Sequence, residues 1–338
     1  MLERYLWRQR ISCEIKLVTR VDNKESGHMV KIDLITGFLG SGKTTFIKKY
    51  VSYLVGKGYN VGILENDYGA VNVDMMLLQD VMGENCHAEM VAGGCGEDCH
   101  KRRFKTKLIA MGMSGYDRVI VEPSGIFDVD EFFDVLHEEP LDRWYEVGSI
   151  ISIVDAGLDR DMSRQSRYVL ASEVANCGTL VMSKVQDASE DEKRSTIEYI
   201  NEVLTEFQCK RQFGDDVLEK NWDDFTDDDF EGFMSTGYKL NDYVKLWFKQ
   251  SDVFNSVYIM NKVMPQERLE TIVRDIFADK ECGDVFRIKG FLPVNDTGWI
   301  ELNATAKKTE VRPIENGQEI IIVIGSNLVE DKIKRYFE

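Results

Sequence analysis

The most chemically specific segment of the sequence is GFLGSGKT, residues 37–44, which matches the pattern G-x-x-x-x-G-K-[ST]. Glycines at such positions let backbone N–H groups turn inward around phosphate oxygens without Cβ clashes. The lysine ammonium reaches the β- and γ-phosphates, and the threonine hydroxyl binds Mg²⁺. The segment therefore predicts a nucleoside triphosphate site. The residues predicted to line it are Gly37, Gly40, Ser41, Gly42, Lys43 and Thr44.

The neighbouring residues predict the elements that would hold this loop. KIDLITG before it reads as a buried strand, and KTTFIKKYVSYLVGKG after it has helical periodicity and ends in glycine. Further apolar strands, among them NVGILEND, DRVIVEPSG, VGSIISIVDAG and GTLVMSK, alternate with helical segments. Such alternation predicts parallel β-α units and a three-layer α/β fold with a mostly parallel sheet.

We predict two domains. A nucleotide-binding domain covers residues 29–211, an acid-rich linker covers 212–245, and a smaller α+β domain covers 246–338. Residues 1–28 are interpreted as an N-terminal extension, because the first strand begins just after Met29. The carboxylate-rich stretch of the linker could also bind cations loosely, but a solvated connection is the simpler interpretation.

Composition narrows the classes of function. A net charge of −17, from 59 acidic and 42 basic residues, argues against nucleic acid or an anionic membrane as partner. No apolar run approaches the ~18 residues of a membrane span. The seven cysteines are an odd number at uneven spacing, which does not indicate a disulfide framework. We expect a cytoplasmic protein whose cysteines are thiols or metal ligands.

Two segments place carboxylates where they could serve a bound triphosphate. ILENDYGAVNVD carries Glu65, Asp67 and Asp74, which could face Mg²⁺ or the γ-phosphate. RVIVEPSG ends an apolar strand at Glu122, where a carboxylate can hold a Mg²⁺-bound water or the attacking water. An ordinary polar loop and a strand-terminal glutamate in a turn are the alternative interpretations.

A third segment, AGGCGEDCHKRR, could bind a transition metal ion. Thiolates, imidazole and carboxylates that fall within six residues can converge on one ion. The cysteines are four residues apart, which is wider than Cys-x-x-Cys, so a flexible glycine loop with two incidental thiols is the alternative. The candidate ligands are Cys95, Glu97, Asp98 and Cys99.

Together these segments resemble the CobW-like family of P-loop GTPases, relatives of the nickel-insertion GTPases HypB and UreG. GFLGSGKTT is similar to the family's phosphate loop, ENDYG to its first switch, VEPSG to its E-x-S-G motif and ISIVDA to the next strand. In the second domain, FRIKGFL and IIIVIGSNL resemble the family's C-terminal domain. The resemblance runs from about Met29 to the end of the chain.

The resemblance implies a GTPase that delivers or inserts a metal ion, or that serves cobalamin metabolism, with hydrolysis switching the metal loop between holding and releasing. It implies GTP and Mg²⁺ as cofactors, a transition metal such as Zn, Co, Ni or Fe, and a client metalloenzyme or corrinoid protein. A homodimer is a candidate assembly. By this resemblance, the phosphates and Mg²⁺ would be bound by Gly40, Gly42, Lys43, Thr44 and Thr45. Glu65 and Asp67 would belong to the switch segment, and Glu122 would position a water molecule or Mg²⁺. Cys95 would be a ligand of the transition metal.

The sequence departs from the family pattern in two places. The metal motif G-C-x-C-C is represented by residues 94–98, GCGED, which replaces soft thiolates by carboxylates and favours a harder or borderline ion, or none. The base-recognition motif N-K-x-D is represented by SKVQ, followed by Asp187. Lys184 can still lie against the base, but the Gln186 amide cannot accept two hydrogen bonds from guanine as a carboxylate does. Either Asp187 substitutes, or the preference for guanine is relaxed and ATP is also used.

Two other classes of function remain open on the sequence. A nucleotide-gated activator of a corrinoid or other metalloenzyme would fit the depleted cysteine motif, because it needs no transferable metal of its own. A small-molecule kinase is a weaker alternative, against which the E-x-S-G segment and the second domain both argue.

Overall fold

The computed structural model describes residues 29–67, 74–92, 97–125, 127–246, 253–295, 298–315 and 317–338. Its larger sheet is fully parallel, in the order β3-β2-β4-β1-β5-β6-β7. The strands are β1 (Val30–Thr36), β2 (Val61–Asp67), β3 (Cys86–Ala92), β4 (Arg118–Pro123), β5 (Tyr145–Asp155), β6 (Thr179–Ser183) and β7 (Val217–Leu218).

Helices cover both faces of this sheet. They are α1 (Lys43–Gly56), α2 (Asp74–Leu77), α3 (Glu97–Gly112), α4 (Val129–Leu136), α5 (Leu141–Trp144), α6 (Arg164–Ala175), α7 (Glu190–Glu206) and α8 (Asp227–Ser235). Successive strand residues point to opposite faces. Ile35 on β1 accordingly packs with α1 and α8, whereas its neighbour Leu34 packs with helices on the other face. The predicted three-layer α/β fold is confirmed.

A second sheet follows, antiparallel and in the order β11-β10-β9-β12-β8. Its elements are β8 (Phe254–Met260), α9 (Gln266–Ala278), β9 (Asp284–Asn295), β10 (Gly298–Ala304), β11 (Thr309–Ile314), β12 (Ile320–Ser326) and α10 (Glu330–Arg335). Both helices pack on one face of this sheet, around Leu269 and Ile333. This is the α+β fold that the sequence predicts for the C-terminal part.

The acid-rich segment differs from its prediction as a solvated linker over 212–245. It contains β7 and α8, and its aromatic rings pack on α1: the ring centroids of Phe46 and Phe233 are 5.1 Å apart, and those of Phe46 and Trp222 5.7 Å apart. Asp229 completes a capping box with Thr226 at the start of α8. The acidic residues of this segment cap α8 and face solvent, whereas its aromatic rings pack against α1. The segment is therefore part of the first domain.

A buried ion pair joins β1 to β4 at the opposite end of the sheet from the phosphate loop. Arg118 donates a 2.5 Å hydrogen bond to Asp33, and the Tyr50 hydroxyl donates a 2.9 Å bond to the same carboxylate. The Ser149 backbone N–H donates to the other Asp33 oxygen at 2.8 Å.

Among the described residues, no helix is long and apolar enough to cross a membrane.

Candidate functional site

The predicted phosphate loop connects β1 to α1, and its backbone needs glycine. Gly37 has φ of 142°, and a Cβ there would lie 2.2 Å from the Ile153 carbonyl oxygen. Gly42, just before α1, has φ of 100°, a left-handed conformation that residues with a Cβ rarely adopt. The loop thus leads directly into the positive end of the α1 dipole, which favours an anion.

The lysine of the loop is buried and turned back over it. Lys43 Nζ donates a 2.7 Å hydrogen bond to the Gly37 carbonyl oxygen. The turn after β4 lies directly against this arrangement, because a Cβ on Gly125 would be 3.0 Å from Lys43 Nζ and 2.7 Å from the Leu39 nitrogen. The E-x-S-G segment therefore borders the phosphate loop, as its position after β4 suggested.

Oxygen ligands suited to Mg²⁺ stand beside Lys43. The Thr44 hydroxyl donates a 2.8 Å hydrogen bond to Glu122 Oε1. Glu65 is the register partner of Glu122 on β2, so both carboxylates leave the same face of the sheet, and both are buried. A hydroxyl and two carboxylates form a hard, all-oxygen set, which fits Mg²⁺ rather than a thiophilic ion.

A buried carboxylate that sequence reasoning missed lies behind the phosphate loop. Glu173 on α6 is fully buried, and burial raises its pKa well above the usual range. The Lys43 ammonium and the Gly37 backbone N–H act on that pKa in the opposite direction. Glu173 is 130 positions from Lys43 in sequence, inside an ordinary helical pattern, so no local signal could have revealed it.

The turn after β6 carries the predicted base-recognition residues. Lys184 has φ of 55°, and its ammonium donates to the Gly40 carbonyl oxygen at 3.1 Å and to Asp155 Oδ2 at 2.5 Å. Gln186 and Asp187 follow in a single 3₁₀ turn and are both exposed. The geometry brings Lys184 to the phosphate loop and leaves the two base-reading candidates at the surface beside it.

Trp222 closes the other side of this turn. Its indole N–H donates a 3.0 Å hydrogen bond to the Met182 carbonyl oxygen at the end of β6. The ring also lies against the loop, because a Cβ on Gly42 would be 3.2 Å from Trp222 Cη2. Trp222 falls in the acid-rich segment that was predicted to be a linker, so its contact with the phosphate loop was not predicted.

The predicted metal loop is only partly among the described residues. Cys95 lies outside them, and so do the side chains of Asp67, Glu97 and Asp98. Cys99 is half-buried and lies in the first turn of α3. No group of three His, Cys, Asp or Glu side chains that could bind a metal ion occurs in the described part of the chain. The transition-metal ligands remain a prediction.

A glycine loop between a parallel strand and a helix, with Lys43, Thr44 and Glu122 converging on it, defines a P-loop nucleotide-binding protein. Residues 31–213, more than half of the chain, match the family described as CobW/HypB/UreG, nucleotide-binding domain. The chain belongs to this family, which confirms the resemblance seen in the sequence.

Three curated relatives are similar to this chain. The zinc chaperone YjiA of Escherichia coli is 26% identical over 174 residues, covering 48% of this chain and 52% of that protein. The zinc chaperone YeiR of the same organism is 28% identical over 159 residues, covering 46% and 47%. The zinc-regulated GTPase metalloprotein activator 1 of Schizosaccharomyces pombe is 20% identical over 351 residues, covering 91% and 85%. The chain thus spans about half the length of the first two relatives.

Solved structures give the same neighbourhood at low similarity. The Zn(II)-bound YjiA GTPase from E. coli is 16% identical with a TM-score of 0.33, over 91% of this chain and 98% of that one. The hydrogenase maturation factor HypB from Archaeoglobus fulgidus is 18% identical with a TM-score of 0.34, over 54% and 82%. The family assignment rests on the sequence match over residues 31–213.

Proposed function

We propose that this protein hydrolyses GTP and uses the cycle to control delivery of a metal ion to a client metalloprotein. The observation that carries the proposal is the meeting of Thr44 and Glu122 at 2.8 Å beside a phosphate loop whose lysine is already turned inward. Such a site has both the anion cradle and the hard-cation ligands that phosphoryl transfer requires. The names of the relatives supply the metal half of the proposal.

Each residue of the site has a proposed role. Backbone N–H groups of residues 37–44 hold the β- and γ-phosphates, and Lys43 neutralises charge on them. Thr44 and Glu65 would hold Mg²⁺, which would supply positive charge to neutralise the charge that develops on the phosphates. Glu122, which is hydrogen-bonded to Thr44, would position Mg²⁺ or a water at the γ-phosphate, and its burial keeps the carboxylate fixed.

The metal cargo is assigned to the loop between β3 and α3. Cys95 and Cys99 would supply thiolates, and Glu97 and Asp98 carboxylates, a mixed set that suits borderline ions such as Zn²⁺, Co²⁺ or Ni²⁺. The loop continues β3, which pairs with β2, and β2 carries Glu65. The paired strands β2 and β3 therefore connect the carboxylate of Glu65, beside the phosphate loop, to the metal loop, and hydrolysis of the γ-phosphate could act on the metal loop through them.

The proposal is tested by two separate measurements on the purified chain. GTP hydrolysis should require Lys43, so Lys43→Ala should abolish it while circular dichroism stays unchanged. Bound metal, measured by elemental analysis, should fall in Cys95→Ser but not in Cys209→Ser, which changes a buried cysteine that follows α7. Hydrolysis that survives Lys43→Ala contradicts the enzymatic half, and unchanged metal in Cys95→Ser contradicts the cargo half.

A second candidate function is favoured by one comparison. The relative that covers 91% of the chain is named a metalloprotein activator, and the family's cysteine motif is depleted here. The chain would then be a nucleotide-gated partner module that docks on a metalloenzyme without a metal of its own. Nucleotide-dependent capture of a metalloenzyme, with no stoichiometric metal on the purified chain, would select this function over the first.

A further inference from the structure

The turn between β10 and β11 of the second domain, residues 305–308, packs on the nucleotide site of the first. The turn is tight, because the Thr305 N–H donates to the Lys308 carbonyl oxygen at 2.8 Å. Its first residue touches the phosphate loop, since a Cβ on Gly40 would lie 3.5 Å from Thr305 Cγ2. Its two lysines then reach two different loops of the first domain.

Lys307 is connected by hydrogen bonds to Lys184, the residue whose ammonium contacts the phosphate loop. Its ammonium donates a 2.6 Å hydrogen bond to the Gly157 carbonyl oxygen. The Gly157 N–H in turn donates to Asp155 Oδ1 at 2.8 Å, and the other oxygen of Asp155 accepts from Lys184. A continuous set of polar contacts therefore runs from the second domain to Lys184.

Lys308 supports the exposed carboxylate next to Lys184. Its ammonium lies 2.9 Å from Asp187 Oδ2 and 3.0 Å from Glu310 Oε1. Asp187 is the one carboxylate in the sequence SKVQDA, residues 183–188, and its backbone N–H bonds the Lys184 carbonyl oxygen at 2.9 Å. The side chain of Asp187 is about half exposed, and Lys308 of the second domain contacts it there.

We propose that Lys308 is a positioning residue for base selection: it fixes Asp187 so that this carboxylate, rather than Gln186, accepts hydrogen bonds from guanine. This proposal rests on the proposed nucleotide binding and deepens it. A carboxylate oxygen has two lone-pair sites, so Oδ2 can keep the lysine while both oxygens face the base. Guanine offers its N1–H and its exocyclic NH₂ as two adjacent donors, whereas adenine has an unprotonated nitrogen and a C–H at the same two positions, so a fixed carboxylate favours guanine.

The test compares the affinities of Mg²⁺-bound, non-hydrolysable GTP and ATP analogues in the full chain, measured by calorimetry. The wild type should prefer the GTP analogue. Lys308→Met should weaken that analogue about two- to fivefold, as expected for an exposed ion pair, and leave the ATP analogue unchanged. Asp187→Asn should weaken binding of the GTP analogue by at least the same factor. The double variant with Asp187→Asn and Lys308→Met should bind the GTP analogue no more weakly than Asp187→Asn alone. Lys308→Arg should restore the preference.

Lys334→Met is the matched control, because Lys334 is a similarly exposed lysine of the second domain that pairs with Glu330 within α10. It should leave both affinities unchanged. A wild type without preference for guanine, equal losses for both analogues in Lys308→Met, or additive losses in the double variant would each overturn the proposal. Binding of either analogue by the wild type tests the proposed function separately.

Discussion

The hydroxyl of Thr44 and the carboxylate of Glu122 are 78 positions apart in sequence and form a 2.8 Å hydrogen bond at the end of the central strands. Thr44 lies in the first turn of α1 and Glu122 lies near the end of β4, so this contact joins the helix that follows the phosphate loop to the central sheet. Glu65 lies beside this pair, and two carboxylates that are buried close together favour a cation between them, because like charges destabilise each other unless an opposite charge compensates them.

The first prediction concerns this contact. Thr44→Ala removes a hydroxyl ligand, so the GTP hydrolysis rate should fall about 100-fold or more and the Mg²⁺ concentration needed for half-maximal rate should rise. Glu122→Gln should lower the rate similarly with little change in nucleotide affinity. Thr44→Ser keeps the hydroxyl and is the control that should stay close to wild type. A fully active Thr44→Ala protein would contradict the assigned role.

The second prediction concerns the close approach of the turn after β4 to the phosphate loop. Gly125→Ala would place a Cβ 2.7 Å from the Leu39 nitrogen, and backbone cannot yield as a side-chain tip does. The loop must shift, so nucleotide affinity should fall about tenfold, equivalent to ~1.4 kcal/mol of binding free energy. Fluorescent nucleotide titration measures the change.

Gly56→Ala is the matched substitution for that experiment. A Cβ on Gly56, the last residue of α1, meets nothing within 4 Å. This variant should bind nucleotide normally and gain up to ~1 kcal/mol of unfolding free energy, because alanine favours the helix. Equal affinities of the two variants would show that the turn does not constrain the loop.

The third prediction concerns pH and Glu173. Its pKa in the folded protein is raised above the ordinary value of 4.5, so the ionised form favours unfolding. The stabilisation that the carboxyl gives is complete below that ordinary value and is lost as pH rises towards the folded pKa. Glu173→Gln should therefore have a higher melting temperature than the wild type at pH 8, and the difference should shrink towards pH 4.5.

Glu192 offers the contrasting case. Hydrogen bonds from the backbone and side chain of Ser189 at the start of α7 lower its pKa. Its stabilisation is present above the ordinary pKa and lost as pH falls, so Glu192→Gln should lower the melting temperature at neutral pH and converge with the wild type in acid. The opposite pH trends of the two variants check the assignment of both environments, and parallel trends would refute it.

The fourth prediction concerns the buried ion pair between Asp33 on β1 and Arg118 on β4. Asp33→Ala leaves the Arg118 guanidinium buried without its carboxylate, which should cost ~3–5 kcal/mol of unfolding free energy in urea titrations. Asp80→Ala, which removes an exposed partner of Lys48, should cost no more than ~1 kcal/mol. Comparable losses in the two variants would contradict the structural role given to the buried pair.

Local sequence was enough for the fold class and for the phosphate loop. The residues 37–44 and Glu122 each belong to a motif that is contiguous in sequence, and strand–helix alternation predicts how the sheet brings them together. The buried strands were also predictable, since short apolar runs such as residues 119–121 are typical of strands that are covered on both faces.

The residues that sequence reasoning missed depend on contacts between distant segments. Glu173, Trp222 and Lys308 act across separations that no periodic pattern encodes. Residues 222–233 were also misassigned, because the high density of acids concealed the spacing of aromatic rings on one face of α8. Net polarity was taken as a sign of solvation, whereas the position of each aromatic ring decided the fold.

The packing of Phe46 against the rings of α8 has a practical consequence for anyone who wishes to isolate the nucleotide-binding half. The family match ends at residue 213, before β7 and α8. A fragment that ends at residue 213 would lack α8, so the apolar side of α1 would be exposed to water and the fragment should aggregate. A fragment that ends at residue 246 would retain α8 and should stay folded in solution.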